Sequence, residues 1–352
     1  MAKKIRVLIT AVGGRSVGYQ ILECLLKFKN TYYIVVTDMS AFSPGLYEAD
    51  KGYIVSSAKS YLYIRDMIEI VKRERIDVIL PGSQPEVEAI AKFEQTFLKQ
   101  GVVPIVNDYD LVKNSFDKLK LYELLSQKNI SVPKTVLLDT IEKARTLRFP
   151  IVIKPSRDSS GSKGVQIVKD LEELKKMFYG LPNKNIQFLA QEYVGSEDEE
   201  YTVGVVLTRE GEVIDSIVMK RKIIGLSLGE EREIGKNRYV LSTGYSQGFF
   251  VDQPDMKVYC EQVAKKIGAR GPLNIQLRIV GKKIYIFEIH PRFSGSASLR
   301  SEMGFNEPHV LIQEFLGLKE FKKIPYKTGF AVIRKFANVV VPMHEYRKME
   351  RK

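Results

Sequence analysis

The 352-residue chain sets 55 Lys and Arg against 42 Asp and Glu, a formal net charge of +13, and 44% of it is hydrophobic. That length and apolar content support a sizeable core and favour two or more domains, while only two cysteines, Cys24 and Cys260, both in helix-like patterns, argue against a disulfide framework or a cysteine-based metal site. The positive charge is spread along the chain with no zinc-finger, RNA-recognition or arginine-rich signature, so ATP and acidic substrates fit it and no nucleic-acid partner is expected.

The first residues lead at once into a strand-like run, with no signal-peptide core. No apolar stretch approaches the roughly 20 residues that span a bilayer, so a cytoplasmic location and no membrane partner are expected. Ile5–Thr10, Tyr33–Thr37, Asp77–Pro81 and Val102–Val106 read as strands. Helices around Gly18 to Lys29 and Ile64 to Glu74, and another after Pro81, separate them. Such alternation predicts a parallel sheet covered by helices, a Rossmann-like domain over residues 1–107. Gly13, Gly14 and Gly18 open its first helix, with Asp38 ending the next strand. The spacing departs from the dinucleotide fingerprint, so no NAD site is expected. Ser83, Gln84 and Glu86 follow a parallel strand at its carboxyl end, where open sheets bind ligands, and are candidate specificity residues.

Asn107 to Asn129 reads as a helical connector, and Pro133 and Pro150 frame a smaller unit, giving a second segment over 108–187. Strand patterns then dominate 188–330, broken by helices around Met256 to Ile267 and Pro308 to Leu316, an α+β arrangement. Residues 331–352 read as a terminal strand and a solvated basic tail.

Within this frame several constellations carry chemistry. Ile151-Val-Ile-Lys154 is a buried-strand pattern ending in a lysine, followed by a loop with Ser159, Ser160, Gly161, Ser162 and Gly164. Such a loop can turn amides and hydroxyls toward phosphate oxygens, and the lysine adds a point charge. A plain hairpin turn is the alternative, although an unpaired charge in an apolar strand would be costly. Gln191-Glu192-Tyr193-Val194 ends another strand and can offer backbone groups to an adenine edge, with Glu200 downstream as an acceptor for ribose hydroxyls. Glu197 and Asp198 read as a solvated acidic loop, and Lys220-Arg-Lys222 either faces a triphosphate or ends a solvated strand.

Two Ile-, Leu-, Tyr- and Phe-rich runs, Gly271–Arg278 and Ile284–His290, flank a Gly-Lys-Lys turn and predict a hairpin. It places Gln276 beside Glu288 and His290, the last two on one face. Oxygen ligands on adjacent strands suit Mg²⁺ held against nucleotide phosphates, and Arg292 beside them suits a transferring phosphoryl group. Ser296, Ser298 and Arg300 combine hydroxyls with a cation and read as an anion cradle for a substrate, or as a serine-capped helix start.

In this order, Asp117-Lys118, Ile-Lys154-Pro, the Ser/Gly flap, Gln191-Glu-Tyr-Val194, Glu200-Tyr-Thr-Val, Gln276 and Glu288-Ile-His-Pro-Arg292 resemble the ATP-grasp superfamily. The similar branch contains the ATP-binding halves of the carbamoyl-phosphate synthase large subunit. The resemblance runs from about Asp108 to Gly317, and the first hundred residues resemble that family's preceding Rossmann-like domain. It implies an ATP-grasp fold with α/β and α+β parts. It further implies that Lys118 and Lys154 contact ATP phosphates, that Ser159 to Gly164 close over them, that Glu192 and Val194 line the adenine hinge and that Glu200 holds the ribose. Gln276 and Glu288 would bind Mg²⁺ (or Mn²⁺), with Arg292 and Lys154 as catalytic cations. His290 stands where the family usually has Asn; imidazole suits Mg²⁺ less well than an amide oxygen does, so His290 is either a third ligand or orients Glu288.

The expected activity is an ATP-dependent ligase joining a small carboxylate to an amine or ammonia through an acyl phosphate. Carbamoyl-phosphate synthesis from bicarbonate is an alternative that needs two phosphorylation sites. The chain carries one set of motifs, so a homodimer would have to supply the second. A non-catalytic ATP-binding sensor is the other alternative.

Overall fold

The computed structural model describes residues 3–157, 164–180 and 186–350. Five short apolar strands build the first sheet: β1 (Ile5–Thr10), β2 (Tyr32–Asp38), β3 (Lys51–Ile54), β4 (Val78–Leu80) and β5 (Val103–Pro104), all parallel in the order β3-β2-β1-β4-β5. Val7, Leu8 and Ile9 of β1 are wholly buried, because helices cover both faces and a central parallel strand has no solvent side. Gly18, at the start of the following helix (Val17–Leu26), and Gly82, just after β4, serve that packing. A Cβ on Gly18 would sit 2.0 Å from the Thr10 carbonyl oxygen, and one on Gly82 would sit 2.4 Å from the Gly18 Cα. Glu86 is buried here, accepting from Thr10 Oγ1 at 2.7 Å and Ser83 Oγ at 2.8 Å.

The predicted helical connector consists of two helices, Tyr109–Ser115 and Lys118–Gln127. The break has a local cause: Asp117 takes extended backbone and its carboxylate caps the Leu119 and Lys120 N–H groups at 3.2 and 3.3 Å.

The second sheet is antiparallel, with β6 (Thr135–Leu137), β7 (Ile151–Pro155), β8 (Gln166–Val168) and β9 (Phe188–Glu192) in the order β6-β9-β7-β8. The third holds β10 (Glu200–Leu207), β11 (Val213–Arg221), β14 (Gly248–Phe250), β15 (Pro272–Val280), β16 (Lys283–His290) and β17 (Phe330–Val332), in the order β16-β15-β10-β11-β14-β17; the hairpin β12 (Leu228–Ile234) with β13 (Asn237–Ser242) stands apart from it. One face of the third sheet packs under the helix Pro254–Lys266. Its other face shares a core with the first sheet through the helices Ala297–Glu302 and Glu307–Phe315.

The basic tail is not simply solvated. Met343–Glu350 forms a helix whose Tyr346 packs edge-on against Phe42 at 5.2 Å, and Met349 lies against Gly52 of β3. Cys24 and Cys260 are free and buried, and among the described residues no helix is long and apolar enough to cross a membrane.

Candidate active site

The predicted hairpin forms, and its register sets Gln276 of β15 opposite Glu288 of β16 and Asn274 opposite His290 as Cα partners, with Gly281 turning the chain at φ +61°. Period-two alternation therefore brings all four side chains to one cleft, which Arg292 also lines. The opposite wall comes from the second sheet, through Lys154 of β7 and Gln191 of β9. Lys118 joins them because the helix break at Asp117 places it at a helix start: the Lys118 N–H donates to the Ser156 carbonyl at 2.9 Å, and Ser156 Oγ donates to Asp117 at 2.8 Å. Pro133, Val152, Val165, Tyr193, Val194, Leu241 and Phe287 give the cleft an apolar lining, within which Val152, Val165, Tyr193 and Leu241 cluster, and Gly244, Ser246, Ser294 and Gly295 also line it.

Charge is concentrated in the middle. The Lys154 ammonium is buried and donates to Tyr122 Oη at 2.7 Å and Gln191 Oε1 at 2.8 Å, while burial and the neighbouring Lys118 push its pKa down to about 7. Burial alone would raise the Glu288 carboxyl, but His290, Lys118 and Lys154 hold it well below the usual carboxylate range. His290 Nε2 lies 3.1 Å from Glu288 Oε2, and burial pushes the imidazole below its ordinary value even though Glu288 opposes the shift. Burial pushes Arg292 down to about 10, so it stays a cation at neutral pH.

A divalent ion fits the donor set of Glu288 and Gln276. The two stand opposite each other on adjacent strands, one an ionised carboxylate and one an amide, and Mg²⁺ typically takes one or two such protein ligands and completes its shell with phosphate and water. Among the described residues no cluster of three His, Cys, Asp or Glu could hold a metal by itself.

Several expected site residues lie elsewhere. Ser296, Ser298 and Arg300 are buried away from the cleft, because the short helix that carries them packs against the helix Val17–Leu26. Ser296 Oγ pairs with Ser294 Oγ at 2.8 Å, Ser298 Oγ donates to Gln20 Oε1 at 2.5 Å, and Arg300 binds Glu307 at 2.5 Å and Asn274 Oδ1 at 2.6 Å. These contacts count against the anion cradle, and among the serine-rich residues it is Ser294 and Gly295 that line the cleft. Glu200 lines the cleft, but its carboxylate is fully engaged, and this counts against the ribose role. Arg221 (2.7 Å) and Ser242 (3.2 Å) donate to one oxygen, and Arg278 donates twice (3.0 and 2.8 Å) to the other. Burial would raise this group, but the two arginines hold it below its ordinary value. Lys220 and Lys222 face Glu199 and Asp198 at 3.3 and 3.6 Å, so the acidic loop pairs with this strand end and neither lysine lines the cleft. Glu192 lines it, but its carboxylate accepts from the Arg148 N–H at 2.9 Å. Ser159, Ser160, Gly161 and Ser162 lie outside the described residues; Gly164 follows them at φ +73° against Pro155.

Two residues escaped the sequence reading. Tyr122 donates from its hydroxyl to the Phe287 carbonyl at 2.7 Å while accepting from Lys154, tying the lysine to the strand that carries Glu288. Its signal was its place four residues after Lys118, on the same helix face. Asn274, two residues before Gln276 on one strand face, accepts through Oδ1 from Thr202 Oγ1 (2.9 Å) and Arg300.

Comparison with known proteins agrees with this architecture. Residues 7–105 match the PylC-like N-terminal domain and residues 115–296 the ATP-grasp domain. Over 297 residues the chain is 27% identical to the carbamoyl phosphate synthase large chain of Clostridium beijerinckii, covering 81% of this chain and 26% of that protein. The corresponding protein of Clostridium perfringens (strain 13 / Type A) is 28% identical over 300 residues, with the same coverage. The chain therefore spans about a quarter of the length of these relatives. In fold it is similar to N5-carboxyaminoimidazole synthetase from Staphylococcus aureus, solved with ADP (TM-score 0.68, 16% identity, 92% of this chain and 81% of that one). It is also similar to L-amino acid ligase from Bacillus licheniformis (TM-score 0.64, 16% identity, 90% and 75%). With the ATP-grasp domain matched over more than half its residues, behind a parallel-sheet N-terminal domain, this mixed α/β chain belongs to the ATP-grasp family.

Proposed function

We propose that the chain is a cytoplasmic, ATP-dependent ligase joining a small carboxylate to an amine or ammonia, with residues 1–107, 108–187 and 188–330 as its working units and 331–352 completing the fold. The observation that carries this reading is the convergence of Lys118, Lys154, Gln276, Glu288 and Arg292 on one cleft that also has an apolar slot. The slot between Val152, Tyr193, Leu241 and Phe287 suits adenine, with the main chain of Glu192 to Val194 at its edge. Lys118 and Lys154 neutralise the phosphates, and Glu288 with Gln276 holds Mg²⁺, which lowers the charge on the phosphoryl group when bound. His290 donates to Glu288 and orients it, the role its 3.1 Å contact supports better than direct metal ligation.

A carboxylate oxygen beside Arg292 attacks the γ-phosphorus; the new P–O bond forms as the bond to the β-phosphate oxygen breaks, releasing ADP. The amine nitrogen then attacks the acyl carbon, the C–O bond to phosphate breaks, and the amine loses a proton as the amide forms. The protein contributes position and charge. Bicarbonate belongs among the candidate acids because of the likeness to carbamoyl phosphate synthase. The test is ADP release from Mg-ATP over a panel of carboxylates and bicarbonate, with hydroxylamine trapping the acyl phosphate. One acid giving ADP and hydroxamate together supports the reading; AMP in place of ADP overturns it.

A further inference from the structure

Past β17 the chain runs along the outside of the molecule, and Ile333, Phe336 and Val340 are 80%, 75% and 93% exposed. Arg334 turns in to make three contacts. Its guanidinium donates through Nε to the Ser246 carbonyl at 3.0 Å, through Nη1 to Gln20 Oε1 at 2.9 Å, and through Nη2 to the Gly295 carbonyl. These acceptors belong to three distant stretches: the first helix of the N-terminal sheet, the loop after β13 and the loop after β16. A planar fork with five donors can serve three such acceptors at once, which a lysine ammonium on its flexible stem does less well.

Ser246 and Gly295 line the same cleft as Arg292, and Gly295 follows Arg292 by three residues. Their loops already approach each other there, since a Cβ on Gly295 would lie 3.5 Å from the Gly244 carbonyl oxygen. Gln20 Oε1 also accepts from Ser298 at 2.5 Å, so Arg334 couples both loops to the buried helix beneath them. Arg334 lies outside residues 115–296, the ATP-grasp match.

We infer that Arg334 is a positioning residue that fixes the gap between the Gly244–Ser246 and Ser294–Gly295 loops, and thereby shapes the part of the cleft where the carboxylate meets Arg292. What enters that part rests on the proposed ligase reading; the three-way tie does not.

Hydrogen exchange read by mass spectrometry on the full chain, together with calorimetric Mg-ATP binding, compares wild type with Arg334→Ala and Arg334→Lys. Arg334→Ala is expected to speed exchange about tenfold in peptides covering 243–247 and 293–297, the scale of one or two lost hydrogen bonds. Exchange in 186–194 stays unchanged and the Mg-ATP dissociation constant stays within about twofold, because the adenine and phosphate groups lie elsewhere in the cleft. Arg334→Lys restores part of the protection, since one ammonium reaches some of the acceptors. Unchanged exchange in both loops, or equal acceleration throughout the chain, overturns the inference. Failure of wild type to bind Mg-ATP would instead remove the ligase reading, and the exchange comparison would still decide the role of Arg334.

Discussion

The hairpin β15–β16 and the serine-rich segment after it are neighbours in sequence, both polar and both suggestive of anion chemistry, yet they end in opposite environments. Gln276, Glu288 and His290 face the cleft, whereas Ser296, Ser298 and Arg300 are buried in contacts with Ser294, Gln20, Glu307 and Asn274. The hairpin's orientation follows from a period of two and a turn, both local. The direction of a six-residue helix is decided by what packs on it, here a helix from the other end of the chain. A polar residue type reveals chemistry only where local geometry also fixes where it points.

If that contrast holds, the two sets of residues fail differently when changed. Glu288→Gln should lower turnover by about 10³-fold or more, since it removes charge at the reacting phosphoryl group, while the melting temperature moves little; a steady-state ADP assay beside a thermal melt checks both. Arg300→Met should act the other way. It leaves Glu307 buried without its cation, so unfolding in urea should show a loss of about 3–5 kcal/mol, with Mg-ATP affinity of the folded protein retained. A stable Arg300→Met protein with no activity would restore the cradle reading and break the contrast.

Tyr122→Phe sharpens the boundary between the sets, since Tyr122 is wholly interior but touches Lys154. Losing one hydrogen bond to a charged group should weaken Mg-ATP binding about tenfold, measured by calorimetry, with smaller loss for Gln191→Leu only if Tyr122 is the main anchor. The effect of pH should be gentler. Lys154 has a pKa of about 7 in the fold and about 10.4 unfolded. Between these values the unfolded chain holds the proton and the folded one does not, so this group makes stability rise with pH across that window. Phosphate favours the charged ammonium, so Mg-ATP affinity should be greatest below pH 7 and decline above it, with proton uptake on binding. Calorimetry at pH 8 in two buffers of different ionisation enthalpy reads that uptake directly.

Much of the architecture could be read from residue pattern. Alternating apolar runs marked β1, β2, β4 and β5 and the helices between them, but not the four-residue β3, too short to show a period. Lys154 declared itself because a lysine closing an apolar strand needs partners, and Tyr122 and Gln191 provide them. Glu200 lines the cleft too, but the same physical reason counts against its expected ribose role. A carboxylate opening an apolar strand also needs partners, and Arg221 and Arg278 meet it from two neighbouring strands, contacts that no spacing in the sequence displays. The break at Asp117 was visible in principle as an N-cap ahead of Lys118, but the apolar pattern runs through it and hides it.

The most direct test of the central claim, that this cleft holds Mg-ATP through its buried lysine, is thermal melting of wild type and Lys154→Met with and without Mg-ATP. A ligand at about 100 times its dissociation constant stabilises the fold by about 2.7 kcal/mol, so wild type should melt several degrees higher with Mg-ATP, and Lys154→Met should show little or no rise. No rise in wild type, or the same rise in both proteins, would contradict it.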